Sequence, residues 1–355
     1  MNRYIFFHSS EKKFPLSIKI LILVADFLCF LHRRRFNLPV KTTSMNKKFI
    51  LLTTVLSVFA SLSYGQQDKL ITHFIYDKMS INPGETGIDD GICATSIYRN
   101  QWDKVNGAPN SAVLNVEANM NRFFPGGLGI SFYHDAIGFS RQNNVLLNYS
   151  YPLDLAGLGT LGIGVGLGIV NFGMSPVWVP PTTVIDNSLP VGFTATNLDV
   201  NFGLYFKGNS DYYVGLSSTH LNESLLESTV GTVNNQYQMA RHYYLMGGKR
   251  FNGIGDGAID AQLLVRTDLV KFSADINARY FWKDIGYAGL TYRTVDAIGL
   301  MLGWMPVKNM TVGYSYDLTT NKLANVSRGS HEIVLKYCYF LPQPPVTKSN
   351  HPRWL

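Results

Sequence analysis

Ser330, His331 and Glu332, in the stretch "GSHEI", have the residue types of a hydrolytic triad. A triad needs a histidine that meets a nucleophile on one side and a carboxylate on the other. These three are consecutive at the head of the alternating run "HEIVLKYCYF", and consecutive side chains of a strand point to opposite faces. His331 therefore turns away from both neighbours, and the stretch reads as a strand start or an interface. His134 and Asp135, at the end of "GLGISFYHD", read as a solvated loop boundary rather than an acid/base pair. His220, His242 and Glu223 lack the close spacing of a metal site.

The stretch "GTLGIGVGLGIVNFG" is the other candidate, because its glycines invite a phosphate-loop reading. A dinucleotide fingerprint is a tight glycine turn that follows a strand and opens a helix. Here Gly162, Gly164, Gly166 and Gly168 recur with a strict period of two, with Ile163, Val165, Leu167 and Ile169 between them. That is a strand with one bare face and one apolar face. Glycine inside a strand marks close approach by something bulky. No residue is therefore nominated as catalytic, cofactor-binding or metal-binding, and the expectation is that the protein is not an enzyme.

The elements that position these residues are strands throughout. Alternating segments follow one another: "GICATSIYR", "SAVLNVEANMN", "GGLGISFYHD", "NNVLLNYSYPL", the glycine strand, "TATNLDVNFGLYFK", "YYVGLSST", "MARHYYLMGGKRF", "AIDAQLLVRT", "FSADINARYFW", "IGYAGLTYR", "AIGLMLGWM", "MTVGYSYDL" and "HEIVLKYCYF". Aromatic residues make up 13% of the chain and charged ones only 15%, and after residue 65 no apolar run reaches the ~20 residues of a spanning helix. The reading is all-β: a transmembrane antiparallel β-barrel of about 14 strands over residues 91–340, outward-apolar and tilted through a bilayer. An even strand count puts both termini on one side, taken as the periplasm. Long polar connections such as "NQWDKVNGAPN", "HLNESLLESTVGTVNNQYQ" and "TTNKLANVSRGS" alternate with short turns such as "GNSD", "KD" and "PVKN", the outer-membrane pattern. Ile163, Val165, Leu167 and Ile169 then face lipid. The glycine row packs against a filled lumen, the filling being either residues 66–90, around His73, Phe74 and Tyr76, or an inturned loop. Inward charges such as Arg279 and Lys336 read as sparse.

The net charge of +7 is a property of the leader: ten of 31 basic and two of 24 acidic residues lie in 1–65, leaving 21 against 22. Nucleic acid is thereby dropped as a partner. "MNKKFILLTTVLSVFASLSYGQQ" has the basic start, apolar run and small-residue end of a secretory signal peptide, residues 45–65, cleaved near Gln66. No cysteine follows the cut, so the chain is not a lipoprotein. Residues 1–44 hold a second apolar run broken by Asp26 and read as a start assigned too far upstream. Residues 341–355 read as a periplasmic tail.

Cys93 lies on the first strand and Cys338 on the last, neighbours in a closed barrel. A disulfide suits an oxidising compartment; two independent buried thiols are the alternative, and sequence leaves both open. Lys336 shares the lumen face with Cys338, while Tyr337 and Tyr339 face lipid, an aromatic ending like those that outer-membrane assembly machinery recognises.

"INPGETG" (Ile81 to Gly87), "YRNQW" (Tyr98 to Trp102) with "GAP" (Gly107 to Pro109), "GLGISFYHDAIG", "GSHEIVLKYCY" and the terminal "HPRWL" together resemble, in order and over the whole mature chain, the PorP/SprF family of outer-membrane proteins of the type IX secretion system. The resemblance implies a non-enzymatic outer-membrane barrel for secretion or surface attachment of cargo such as gliding adhesins. Its implied partners are periplasmic ring and motor proteins, the cargo protein and outer-membrane lipid, with no cofactor. The positions it carries over as candidate interaction residues are Asn82, Pro83, Tyr98, Arg99, Asn100, Gln101, Trp102, Gly107, Ala108, Pro109, His331, Glu332, Pro352, Arg353, Trp354 and Leu355, with Gly329 as a further pattern position. Gly84 stands where the family pattern more often has alanine. The rival expectation is a diffusion channel or hydrophobic-solute transporter, whose signature would be charged rings in the lumen.

Overall fold

The computed structural model describes residues 69–177, 191–230, 233–283 and 285–341. The signal peptide, the upstream segment and the tail residues Pro352 to Leu355 lie outside the described residues.

The period-two segments are the strands β1 (Ile92–Asn100), β2 (Asn110–Asn119), β3 (Gly127–Ile137), β4 (Ser140–Leu155), β5 (Gly159–Met174), β6 (Phe193–Gly208), β7 (Tyr212–Thr219), β10 (His242–Ile254), β11 (Gly257–Thr267), β12 (Phe272–Trp282), β13 (Gly286–Arg293), β14 (Ala297–Trp304), β15 (Met310–Thr319) and β16 (Ser330–Tyr339). Each pairs antiparallel with its neighbours, and β1 pairs β16, so the sheet closes into a 14-strand barrel. Closure removes every free edge, which is what lets a β-structure sit in lipid. In β1 exposed and buried residues alternate strictly from Ile92 to Arg99. Ile163, Val165, Leu167 and Ile169 are exposed on the outside, part of an apolar outer band that also carries Tyr149, Tyr151, Trp282, Trp304, Tyr337 and Tyr339.

The β1/β16 seam sets Cys93 opposite Cys338 and Arg99 opposite Glu332. The two cysteines form a disulfide across it, so of the two readings open in the sequence the bonded one holds.

Two further strands, β8 (Leu225–Val230) and β9 (Val233–Gln238), form a separate two-stranded sheet within the connection from β7 to β10. Leu226 and Met239 of this connection are buried against Val170, Phe172 and Phe193, and the Tyr237 ring stacks on Phe172 with centroids 4.0 Å apart. Phe172 shares its strand face with the glycine row, so the hairpin turns inward at the barrel end opposite the termini.

Residues 69–91 run through the lumen, from Lys69, whose carbonyl accepts from Arg266 near the end of β11, down to the start of β1. They form three short turns, Phe74–Tyr76, Lys78–Ile81 and Pro83–Glu85. Ile71, Thr72, His73, Phe74, Ile75, Met79 and Asn82 are all buried. Both candidates for the filling, the N-terminal segment and an inturned loop, are therefore present together.

Candidate functional site in the barrel lumen

The plug is held at three levels. Nearest the terminal end, a shelf of glycines on β5, β6 and β7 receives the Asn82-Pro83-Gly84 turn, while Gly127 and Gly129 on β3 lie against Met79, Thr86 and Gly87. Pro83 fixes the start of the turn, and Asn82 caps it by accepting the Gly84 N–H at 2.9 Å. The Asn82 amide donates to the Leu204 carbonyl at 3.0 Å, and the Ser150 and Ser217 hydroxyls donate to Gly84 and Ile81 carbonyls at 2.9 and 2.8 Å. A Cβ on Gly162 would fall on the Gly84 carbonyl oxygen, and one on Gly164 would overlap the Pro83 backbone. Gly166 meets the Pro83 ring and Asn148, whereas a Cβ on Gly168 would strike the backbone of β4 rather than the plug. The fit is mutual: a Cβ on Gly84 would lie 2.8 Å from the Gly162 oxygen and 2.9 Å from the Gly203 oxygen. In this chain the turn sits too close to the wall for the alanine of the family pattern unless the backbone moves.

The middle level is apolar and aromatic. Phe74, Ile75 and Ile81 pack on Tyr205, Tyr244, Met246, Leu264, Phe281, Tyr287 and Met301; burying one such aliphatic or aromatic side chain contributes about 1.5–3 kcal/mol. Arg279 donates to the Tyr76 hydroxyl at 2.9 Å and pairs with Asp260. Asp77 accepts from Asn115 at 2.7 Å and pairs with Lys69 at 2.7 Å. Lys78 and Glu85 belong to the plug, outside the spanning strands. Burial by itself would depress the Lys78 amine, but the Tyr205 and Tyr213 hydroxyls and the Glu85 and Asp89 carboxylates outweigh it and hold it raised. Burial, with the Glu117 carboxylate beside it, pushes the Glu85 carboxyl well above the ordinary range.

The deepest level is ionic. Glu332 and Arg99 are 0% and 1% exposed. The Glu332 carboxylate accepts the Thr72 and His73 backbone N–H groups at 2.8 and 2.6 Å, meets His73 Nδ1 at 2.8 Å and pairs with Arg99 at 3.0 Å. Arg99 also pairs with Asp317 at 2.7 Å and donates to the Thr72 hydroxyl at 2.9 Å. The chain of charge runs on from Asp317 to Arg293 at 3.9 Å, to Asp275 at 3.0 Å, and to Arg266, whose guanidinium donates to the Lys69 carbonyl at 3.1 Å. Three arginines alternate with three carboxylates from β11 round to β1, and the plug backbone is bonded into that belt.

The expected sparseness of inward charge is therefore corrected: the lumen wall is rich in charge. Arg99, Asp260, Arg266, Asp275, Arg279, Arg293, Asp317 and Glu332 are matched with one another in ion pairs. Their signal was legible as strand parity, since Asp275, Asn277 and Arg279 alternate along β12 and Ser315 and Asp317 along β15.

Of the candidate interaction residues, Asn82 and Pro83 belong to the N-terminal segment and contact the barrel wall, while Arg99 and Glu332, on the wall, contact that segment. Gln101 is buried too. Tyr98 is exposed on the outer wall, and His331 faces outward, bonded to the Tyr314 hydroxyl at 2.7 Å. The Asn100–Pro109 region lies at the rim where β1 ends and is tied to its neighbours there: Trp102 N–H donates to Ser330 Oγ at 3.1 Å, Asp103 N–H to the Gly329 carbonyl at 2.7 Å, and Gly138 N–H to the Gly107 carbonyl at 2.9 Å. Trp102 and Lys104 are held there at φ 51° and 72°, in the left-handed region. Ala108 lies beside them, lining a surface cleft of about 310 Å³. His220 bonds Asp199 at 2.8 Å, and His134 meets Asn143 at 2.7 Å.

An apolar-belted, closed barrel with a plugged lumen defines a membrane β-barrel of the outer-membrane kind. The family described as type IX secretion system membrane protein PorP/SprF matches residues 63–337, and the chain belongs to that family. It is thus an outer-membrane component of the type IX secretion system, its family and fold being of a secretion or membrane-component kind, and works alongside that machinery. No curated protein matches it. Among solved structures it is similar to the Ralstonia pickettii toluene transporter TbuX (12% identity, 75% of this chain and 94% of that one, TM-score 0.47). It is also similar to the CymD monoaromatic hydrocarbon channel (12%, 75% and 93%, 0.43) and to Omp33 of Acinetobacter baumannii (8%, 72% and 100%, 0.41).

Proposed function

We propose that the protein is a closed, non-enzymatic scaffold that acts by protein-protein binding. The loops at the end opposite the termini engage a secreted cargo such as a gliding adhesin. The short turns and the tail, Pro352 to Leu355, engage periplasmic ring or motor proteins, with both termini periplasmic. Tyr98, Asn100, Trp102, Gly107, Ala108, Pro109 and His331 would contribute to the cargo side. Arg99 and Glu332 would act one step removed, by fixing the plug that sets the shape of that surface.

The observation that carries this reading is the filled lumen. A conduit needs a continuous water-filled path, whereas two of the spaces between plug and wall measure about 30 and 10 Å³, room for a water or two, and a third of about 330 Å³ lies at the mouth where β16 ends. Affinity capture from detergent-solubilised membranes is expected to recover ring or motor proteins and a large secreted adhesin, and the purified barrel is expected to stay closed in planar bilayers. Steady conductance from a barrel recovered alone would overturn the scaffold in favour of a diffusion channel or hydrophobic-solute transporter.

A further inference from the structure

The plug is lopsided. Its Asn82-Pro83-Gly84 turn lies against β5, β6 and β7, and on the other side a cavity of about 330 Å³ remains at the terminal mouth, between the plug and the wall from β10 to β16. That volume is in the range of ligand pockets. Tyr76, Phe281 and Phe340 give it an apolar lining.

Its charge is unbalanced. Asp260 is the one carboxylate that lines it, and it is engaged by Arg279 and by Gln262, whose amide donates to both oxygens at 2.9 Å. Lys78, Arg250 and Lys336 line it as well, and among the described residues none of the three has a carboxylate partner within ion-pair distance. Lys78 donates to the Tyr205 hydroxyl at 3.3 Å and sits 4.1 Å above the Tyr213 ring; Arg250 sits 4.8 Å above the Phe281 ring. Glu85, Asp89 and Glu117 lie outside the lining, near enough to act on the charge of Lys78 and Lys336 but beyond ion-pair distance of either.

Arg250 on β10 and Lys336 on β16 stand six strand steps apart round a closed 14-strand wall, nearly opposite one another across one cavity. A peptide with carboxylates at intervals matches cations set on facing walls. The chain's own tail fits poorly: after Leu341 it carries Lys348 and Arg353 and no aspartate or glutamate.

We propose that this vestibule is a docking site for an acidic, aromatic-containing peptide segment of a partner protein that approaches the terminal mouth. The proposal rests on the scaffold reading, in which that mouth faces protein partners.

The test uses the full-length protein in detergent and a fluorescein-labelled peptide of alternating glutamate and phenylalanine, followed by anisotropy. Saturable, salt-sensitive binding is expected, weakened about tenfold or more by Lys336→Gln and again by Arg250→Gln, the loss of one hydrogen bond to a charged group each time. A lysine-for-glutamate version of the peptide is expected not to bind. Binding unchanged in both variants overturns the site. Complete displacement by millimolar inorganic phosphate overturns the peptide in favour of a simple anion site, and binding that appears only after truncation beyond Leu341 assigns the vestibule to the tail. Conductance of the same preparation separates the two readings: a closed barrel that binds no peptide removes the vestibule proposal alone, while a conducting one removes the scaffold.

Discussion

Glu332→Gln should unseat the plug without unfolding the barrel. The wild-type carboxylate serves four donors: the Thr72 and His73 backbone N–H groups, His73 Nδ1 and Arg99. Glutamine keeps one oxygen, which can still serve His73, but it turns an NH₂ group towards the Thr72 N–H and the Arg99 guanidinium, both donors. Two hydrogen bonds to a charged group are lost, at about 1.5–3 kcal/mol each, and Arg99 keeps only Asp317 as counter-ion. Breaking a buried ion pair by removing one partner costs about 3–5 kcal/mol, in agreement with that sum. At 1.4 kcal/mol per factor of ten, the fraction of molecules with an open plug rises by roughly two to three and a half powers of ten. The assay is maleimide labelling of Ile71→Cys, a buried plug position away from the vestibule, in the presence and absence of Glu332→Gln; the native Cys93–Cys338 bridge is inert to the reagent. Labelling should accelerate at least a hundredfold in the double variant. Lys283→Gln, which removes an exposed pair with Asp256, should leave the rate unchanged. Equal labelling with and without Glu332→Gln, in barrels that still migrate as folded on unheated gels, would refute the argument that the ionic belt holds the plug.

Gly164→Leu should reduce the yield of heat-modifiable barrel, because its side chain would have to occupy the space of Pro83 and Gly84, and overpacking of this kind costs about 1–3 kcal/mol or more. Gly247→Ala, whose new Cβ would meet only a carbonyl oxygen at 3.5 Å, is the tolerated control. Replacing Cys93 and Cys338 together with serine should lower thermal stability by about 2–5 kcal/mol, as expected for a disulfide that closes a long loop, while Ile71→Cys stays protected from maleimide. Leu226→Ala should cost about 2–5 kcal/mol of hairpin docking, seen as faster tryptic cleavage at Arg241 with the barrel intact.

The strands and the lipid face were legible because parity is a local property: Ile163, Val165, Leu167 and Ile169 announce their side without reference to any other part of the chain. Parity also held the direction of Glu332, since it lies on the same face as Lys336 and Cys338. What it could not hold was the partner. The plug has no period of its own between Lys69 and Gly91, and the contact of His73 with Glu332 spans 259 positions, so motif residues flanking loops read as partner-facing. The β8/β9 hairpin was hidden for a related reason: its sequence is polar and reads as a loop, and its burial rests on Leu226 and Tyr237 meeting a strand that precedes it by more than 50 residues. Gly84 shows the reverse case, in which a departure from the family pattern became intelligible only beside Gly162 and Gly203.

The seam has a consequence in time. Residues 72 and 73 and Cys93 leave the ribosome early, whereas Glu332 and Cys338, which grip them, stand on the last strand to be made. Until that strand arrives the N-terminal segment lacks its acceptor and the wall lacks its edge. Pairing of the last strand with the first both closes the cylinder and brings Glu332 to the plug, so a chain that ends before β16 lacks the closing edge and that acceptor alike.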